Sequence, residues 1–139
     1  MHALLAGRVV LVSGVGPGLG AQIARDAHAA GAQVMLSARR TSYLEELAAE
    51  FQDRVACEPC DVTVDADCRA VVDATLQRFG GLDCVVGNAF AQGRAYGLTL
   101  EEADVDDWRD AFDVNVFGSL RMVKAAIPAL KQSEHGSVV

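Results

Sequence analysis

Ser13-Gly14-Val15-Gly16-Pro17-Gly18-Leu19-Gly20 lies between two segments of opposite periodicity. Before it, Arg8-Val9-Val10-Leu11-Val12 is a short apolar run rich in β-branched residues, the pattern of a buried parallel strand. After it, Leu19, Ile23, Ala27 and Ala30 form a helical stripe, and Gly31 supplies the stop. In that position glycines have a chemical meaning. Gly14 lets the chain turn sharply, Gly18 lets the backbone approach a pyrophosphate, and Gly20 lets the helix pack closely on the sheet. The free N–H groups of the first helical turn then face the anion. Pro17 has no N–H, so the anion must use its neighbours in the stretch from Ser13 to Gly20. An ordinary strand–helix turn with convenient glycines is the simpler reading, but the strand–turn–helix context favours a dinucleotide.

Outward from this turn the same alternation repeats. Gln33–Ser37 is a second strand, and Thr41 or Ser42 can cap a helix with apolar positions Leu44, Leu47, Ala48 and Phe51. Val55–Cys57 opens a third strand before Pro59. Thr63 or Asp65 can cap a helix carrying Cys68, Val71, Val72, Leu76 and Phe79, ended by Gly80-Gly81. Leu82–Val86 is a fourth strand, after which periodicity is lost from Gly87 to Gly97. A long helix from about Asp106 to Lys131 is predicted to pack through Trp108, Phe112, Val116, Leu120, Val123 and Ile127, interrupted by Gly118 and Pro128, with a bend or local adjustment at Pro128. Gly136-Ser137-Val138-Val139 opens a fifth strand. The acidic run Glu101–Asp107 reads as a solvated loop and helix start, where negative charge suits the dipole. The order β-α-β-α-β-α-β-α-β predicts an α/β fold, a doubly wound parallel sheet with helices on both faces.

Composition narrows the partners. The 139 residues carry a formal charge of -7, which argues against a non-specific nucleic-acid binder. No apolar run reaches the roughly 18 residues of a membrane span, and Met1–Arg8 lacks the features of a signal peptide. Four cysteines are too few for a disulfide scaffold, so a reduced, cytoplasmic setting is expected. Cys57-Glu58-Pro59-Cys60 has redox or zinc spacing, but it ends a strand rather than starting a helix. Cys68, Cys84, His2, His28 and His135 do not complete a ligand set, so no metal site is expected.

The end of the second strand chooses the cofactor. NAD sites place an acid there for the ribose hydroxyls. This chain reads Ser37-Ala38-Arg39-Arg40. Arg39 can pair with a 2'-phosphate, assisted by Arg40 or Ser37, which predicts NADP, with NAD as the alternative. The same positive pair argues against the rival nucleotide binder, an S-adenosylmethionine-dependent methyltransferase.

These residues resemble the classical short-chain dehydrogenases/reductases. The resemblance runs through the whole chain and corresponds to the N-terminal half, or slightly more, of a family member. The family's T-G-x-x-x-G-x-G is matched from Ser13 to Gly20, with Ser for Thr. Asp61-Val62 is similar to the segment that places an acid near the adenine, although Asp61 can equally cap its own turn. The N-N-A-G segment is matched by Gly87-Asn88-Ala89-Phe90, keeping Asn88 and Ala89. Asn88 can satisfy buried backbone groups beside the cofactor. Phe90 either packs over the cofactor or fills a gap. Asp113-Val114-Asn115-Val116-Phe117-Gly118 resembles the helix segment whose Asn belongs to the catalytic tetrad, there holding a water that connects to a Lys. The resemblance implies a Rossmann-like fold and hydride transfer between a nicotinamide and a carbonyl or alcohol substrate. It also implies a homo-oligomer when full length.

The proton-transfer half is missing. The family uses a Tyr whose pKa, ordinarily near 10, is lowered by a Lys in Y-x-x-x-K, with a Ser orienting the substrate. Here Leu47 follows Tyr43 and Leu100 follows Tyr96 by four positions, and the only lysines are Lys124 and Lys131. Ser137 does not match the catalytic Ser. The expectation is the cofactor portion, residues 1–139, of an NADP-dependent oxidoreductase that is inactive alone. The alternative is a catalytically inactive nucleotide-binding or protein-interaction module.

Overall fold

The structure is a computed structural model that describes residues 3–139. Met1 and His2, which the readings of the N-terminal stretch and of the scattered histidines included, lie outside the described residues. Five parallel strands, β1 (Val9–Ser13), β2 (Gln33–Ala38), β3 (Val55–Pro59), β4 (Cys84–Gly87) and β5 (Ser137–Val138), form one sheet in the order β3-β2-β1-β4-β5. Helices α1 (Leu19–Ala29) and α2 (Thr41–Ala48) cover one face. Helices α3 (Asp65–Phe79) and α5 (Ser119–Leu130) cover the other. The α/β, Rossmann-like doubly wound architecture expected from the sequence is the one observed.

Strand periodicity explains the two layers. Val9 and Leu11 face the α3/α5 side with Met35 and Val85, while Val10 and Val12 face the α1/α2 side with Val34, Leu36 and Val86. Successive side chains point to opposite faces, so a strand buried on both must be apolar throughout. Burying each large aliphatic side chain contributes roughly 1.5–3 kcal/mol. Gly80 closes α3 in the left-handed region, at φ 82, with its N–H on the Leu76 carbonyl.

Several local expectations are corrected. Arg40, not Thr41 or Ser42, caps α2, and it does so without a side-chain bond. The helix begins at Thr41 itself, so Thr41 and Ser42 lie inside it and cannot be its cap. Phe51 lies beyond the helix and meets the His28 ring at 4.7 Å. Val64 stands at the start of α3 in place of Thr63 or Asp65, because Thr63 is engaged by Asp61.

The long helix is three pieces: α4 (Val105–Phe112), a π-helical segment (Asp113–Gly118) and α5. The irregularity falls at the π segment, and α5 continues through Pro128. Asp104 begins α4 with a capping box, accepting from the Asp107 N–H at 3.0 Å while Asp107 accepts from the Asp104 N–H. Most of the predicted packing stripe faces outward: Trp108, Phe112, Val116, Leu120 and Ile127 are exposed, Val123 is half-buried, and Met122, Ala126 and Leu130 are buried instead. Those three residues recur every four positions and let α5 lie against α3 and the sheet.

Candidate functional site

The registers align Ser13 with Ser37 and with Gly87, so the loops after β1, β2 and β4 leave the sheet from one edge. At that edge the chain switches direction between β1's neighbours, the place where open α/β sheets leave a crevice. A cleft of about 580 Å³ opens there.

Its floor is the glycine turn. Gly14 N and Val15 N donate to the Ser37 carbonyl at 2.8 and 2.9 Å. Asn88 N donates to the Ser13 carbonyl at 2.9 Å, and Asn88 Nδ2 donates to the Gly14 carbonyl at 2.8 Å. Gly14 sits at φ 91, and a side chain there would run into the Ala89 backbone. At Gly20 an added Cβ would lie 2.6 Å from the Gly14 carbonyl and 2.9 Å from Asn88 Nδ2. The tight partner of Gly20 is therefore the turn itself. Gly16 and Gly18 face open space, which leaves room for a ligand against the backbone.

Helix α1 starts at Gly18 with no side-chain cap and no acidic residue in its first turn. An uncapped start presents unsatisfied N–H groups and the positive end of the dipole. The charged residues lining the cleft are Arg39, Arg40 and Asp61, so a locally basic wall stands in an acidic chain. The donor set fits a dinucleotide: free N–H groups for a pyrophosphate, with guanidinium groups to one side.

Asp61 lines the cleft and also fixes its own turn. Its Oδ1 accepts from the Thr63 hydroxyl at 2.7 Å and the Thr63 N–H at 2.9 Å. The hydroxyl and then the N–H hold the carboxyl below its ordinary range, with Arg39 adding to the effect. Burial pushes the neighbouring Cys60 thiol up to about 12 and raises Cys57 and Cys68 as well. They remain thiols rather than thiolates at neutral pH, and all four cysteines are free. Among the described residues no cluster of three His, Cys, Asp or Glu side chains is arranged to hold a metal ion.

Gly14, Gly16, Pro17, Gly18, Leu19, Gly20, Arg39, Arg40, Asp61, Val62, Asn88 and Ala89 are brought together around the cleft. Three predicted residues are not. Ser13 and Ser37 are buried in the sheet, and Ser37 Oγ has no hydrogen-bond partner among the described residues. Ser37 does not line the cleft, although its carbonyl anchors the turn. Asn115, on the π segment, spends its amide on Ala91: Oδ1 accepts from Ala91 N and Nδ2 donates to Ala91 O, both at 2.8 Å. Its own carbonyl accepts from the Ser119 hydroxyl at 3.3 Å. Tyr43, Cys60, Phe90 and Val114 line the cleft as well. The missed position of Tyr43 had a signal: it follows Arg39-Arg40 in the first turn of α2, directly above the strand end.

The signature of the family described as short chain dehydrogenase matches residues 8–139, and the chain belongs to that family. It is 33% identical over 137 residues to an uncharacterized oxidoreductase of Staphylococcus aureus strain MRSA252, covering 98% of this chain and 58% of the relative. It is also 35% identical over 139 residues to 11-beta-hydroxysteroid dehydrogenase A of Sesamum indicum, covering 97% of this chain and 39% of that one. Among solved structures, a short chain dehydrogenase from Mycobacterium smegmatis superposes with a TM-score of 0.89 at 30% identity, over 99% of this chain and 58% of that chain. A 3-ketoacyl-(acyl-carrier-protein) reductase from Brucella melitensis, complexed with NADH, superposes with a TM-score of 0.85 at 31% identity, over 92% and 52%. The chain thus spans between 39% and 58% of the length of these relatives.

Proposed function

We propose that these residues hold a nicotinamide dinucleotide, NADP in preference to NAD, as the cofactor portion of an oxidoreductase acting on a carbonyl or alcohol. One observation carries the reading: the uncapped start of α1 opens into a cleft where Arg39 and Arg40 stand, with no carboxylate at the end of β2. When bound, the dinucleotide would give a hydride to a carbonyl or take one from an alcohol. The chain's own residues bind and orient it. Backbone N–H groups from Leu19 onward take the pyrophosphate, the Gly18 N–H being spent on the Gly16 carbonyl, Arg39 and Arg40 take a 2'-phosphate, and Asp61 and Val62 border the adenine side. Asn88 keeps the turn in shape, and Asn115 keeps the loop after β4 in place. NAD is the second reading, favoured by the NADH held by the Brucella relative.

Residues 1–139 are read as part of a larger domain, consistent with their share of the relatives' length. Alone they bind without turnover, since neither Tyr43 nor Tyr96 has a Lys four residues later. That absence is also the case for an inactive nucleotide-binding or protein-interaction module. The outward face of α4, the π segment and α5 supports self-association into a homo-oligomer. No helix of the described residues is long and apolar enough to cross a membrane. The charge of -7 argues against nucleic acid as a partner, and the free thiols suit the cytoplasm.

Titration with NADPH and NADH tests the cofactor choice. Arg39→Ala should weaken NADPH by roughly tenfold or more and leave NADH unchanged, since a hydrogen-bonded charge pair is at stake. Equal binding of the two cofactors, unaltered by the substitution, rejects the phosphate role. Sequence beyond Val139 containing a Ser and Y-x-x-x-K in frame separates the enzyme from the inactive module.

A further inference from the structure

Phe90 is 71% exposed, yet it lines the same cleft as the glycine turn. Its neighbour Ala89 packs on the α3/α5 core, whereas the Phe90 side chain stands largely in solvent. A lone exposed Phe on an open surface is ordinary. An aromatic ring on the wall of a concave, partly polar cleft offers a flat apolar surface of the kind that lines ligand pockets.

The cleft has two ends. Arg39, Arg40, Tyr43 and Asp61 stand at the β2–β3 end, and Asn88, Phe90 and Val114 stand at the end formed by β4 and the π segment. The anion-binding turn lies between them. A dinucleotide with its pyrophosphate on the turn and its adenosine side at Arg39 must send its second nucleoside toward Phe90. The ring is also carried on a fixed piece of backbone. Asn88 is tied to the Ser13 and Gly14 carbonyls, and Ala91 is held from both N–H and carbonyl by Asn115. Little ordering remains for a ligand to impose.

We infer that Phe90 is a specificity-determining wall for the nicotinamide riboside, contacting that half of the dinucleotide and shielding it from water. This rests on the dinucleotide reading above. Offset or edge-on contact between flat rings is the interaction involved.

The test is a fluorescence titration of the 139-residue chain and its Phe90→Ala and Phe90→Tyr variants. The probes are whichever of NADPH and NADH binds more tightly, and its adenine-side half alone, 2',5'-ADP or ADP respectively. Phe90→Ala should weaken the dinucleotide roughly three- to tenfold, the range expected for one aromatic contact, and leave the half-ligand unchanged. Dihydronicotinamide emission should brighten on binding to the parent chain and to Phe90→Tyr, and less with Phe90→Ala. Equal loss for both ligands, or no loss for either, overturns the role of Phe90 while leaving the dinucleotide reading intact. Failure of the unaltered, folded chain to bind either ligand overturns both.

Discussion

At Gly14 the backbone sits at φ 91, and at Gly20 a methyl would press on the Gly14 carbonyl and on Asn88. Gly16 and Gly18 meet nothing within reach. The four glycines therefore have separable roles. Gly14→Ala and Gly20→Ala should each lower unfolding free energy by about 2–4 kcal/mol, through strain and overpacking. Gly16→Ala and Gly18→Ala should stay within about 0.5 kcal/mol, as open positions do. Urea midpoints measure the difference, and a large loss at Gly16 refutes the assignment. The residue types of the turn were readable in order, and so were the arginines after β2. The burial of Ser37 was not, because a strand buried on both faces gives no polar alternation to show where a small hydroxyl sits.

In the α4–π–α5 run the same limit acts on an element. Trp108, Phe112, Val116 and Leu120 make the stronger apolar stripe, but the sheet side is taken by Met122, Ala126 and Leu130. Two apolar faces share one helix, and periodicity cannot say which one the core will use. The choice is made by packing against α3 and the sheet, which no single-helix pattern contains. Asn115 was legible as out of place in an apolar helix, but its partner was not, since Ala91 lies 24 residues away. Asn115→Ala should remove hydrogen-exchange protection from the Ala91 amide by at least roughly tenfold. Asn115→Asp should retain most of that protection, since it keeps an acceptor for the Ala91 N–H. Unchanged exchange in Asn115→Ala rules out the clamp.

On the scale of the molecule, the outward stripe forms a second concavity of about 560 Å³, lined by Val105, Trp108, Phe112 and Phe117 among others. Contiguous exposed apolar surface of this kind favours association. Sedimentation of the chain should show concentration-dependent self-association, and Phe112→Glu should shift it toward monomer with the far-UV circular dichroism unchanged. A chain that stays monomeric throughout the micromolar range disproves self-association through this face. The overall alternation of strands and helices was the most legible level, because each βα unit carries its own periodicity and its own turn.

The placement of β1 at the centre, between β2 and β4, also bears on how the cleft is assembled. The β1–β2 and β2–β3 pairings join consecutive βα units, whereas Val9 meets Asp83 across 74 residues. Closing the longer loop costs about 1 kcal/mol more in chain entropy. Local contacts therefore have the advantage as the chain collapses. The carbonyl of Ser37 can seat Gly14 and Val15 before β4 arrives, while the contacts of Asn88 await it. The arginine-bearing side of the crevice is favoured to take shape first, and the side that carries Phe90 is completed by the most distant strand partner of β1.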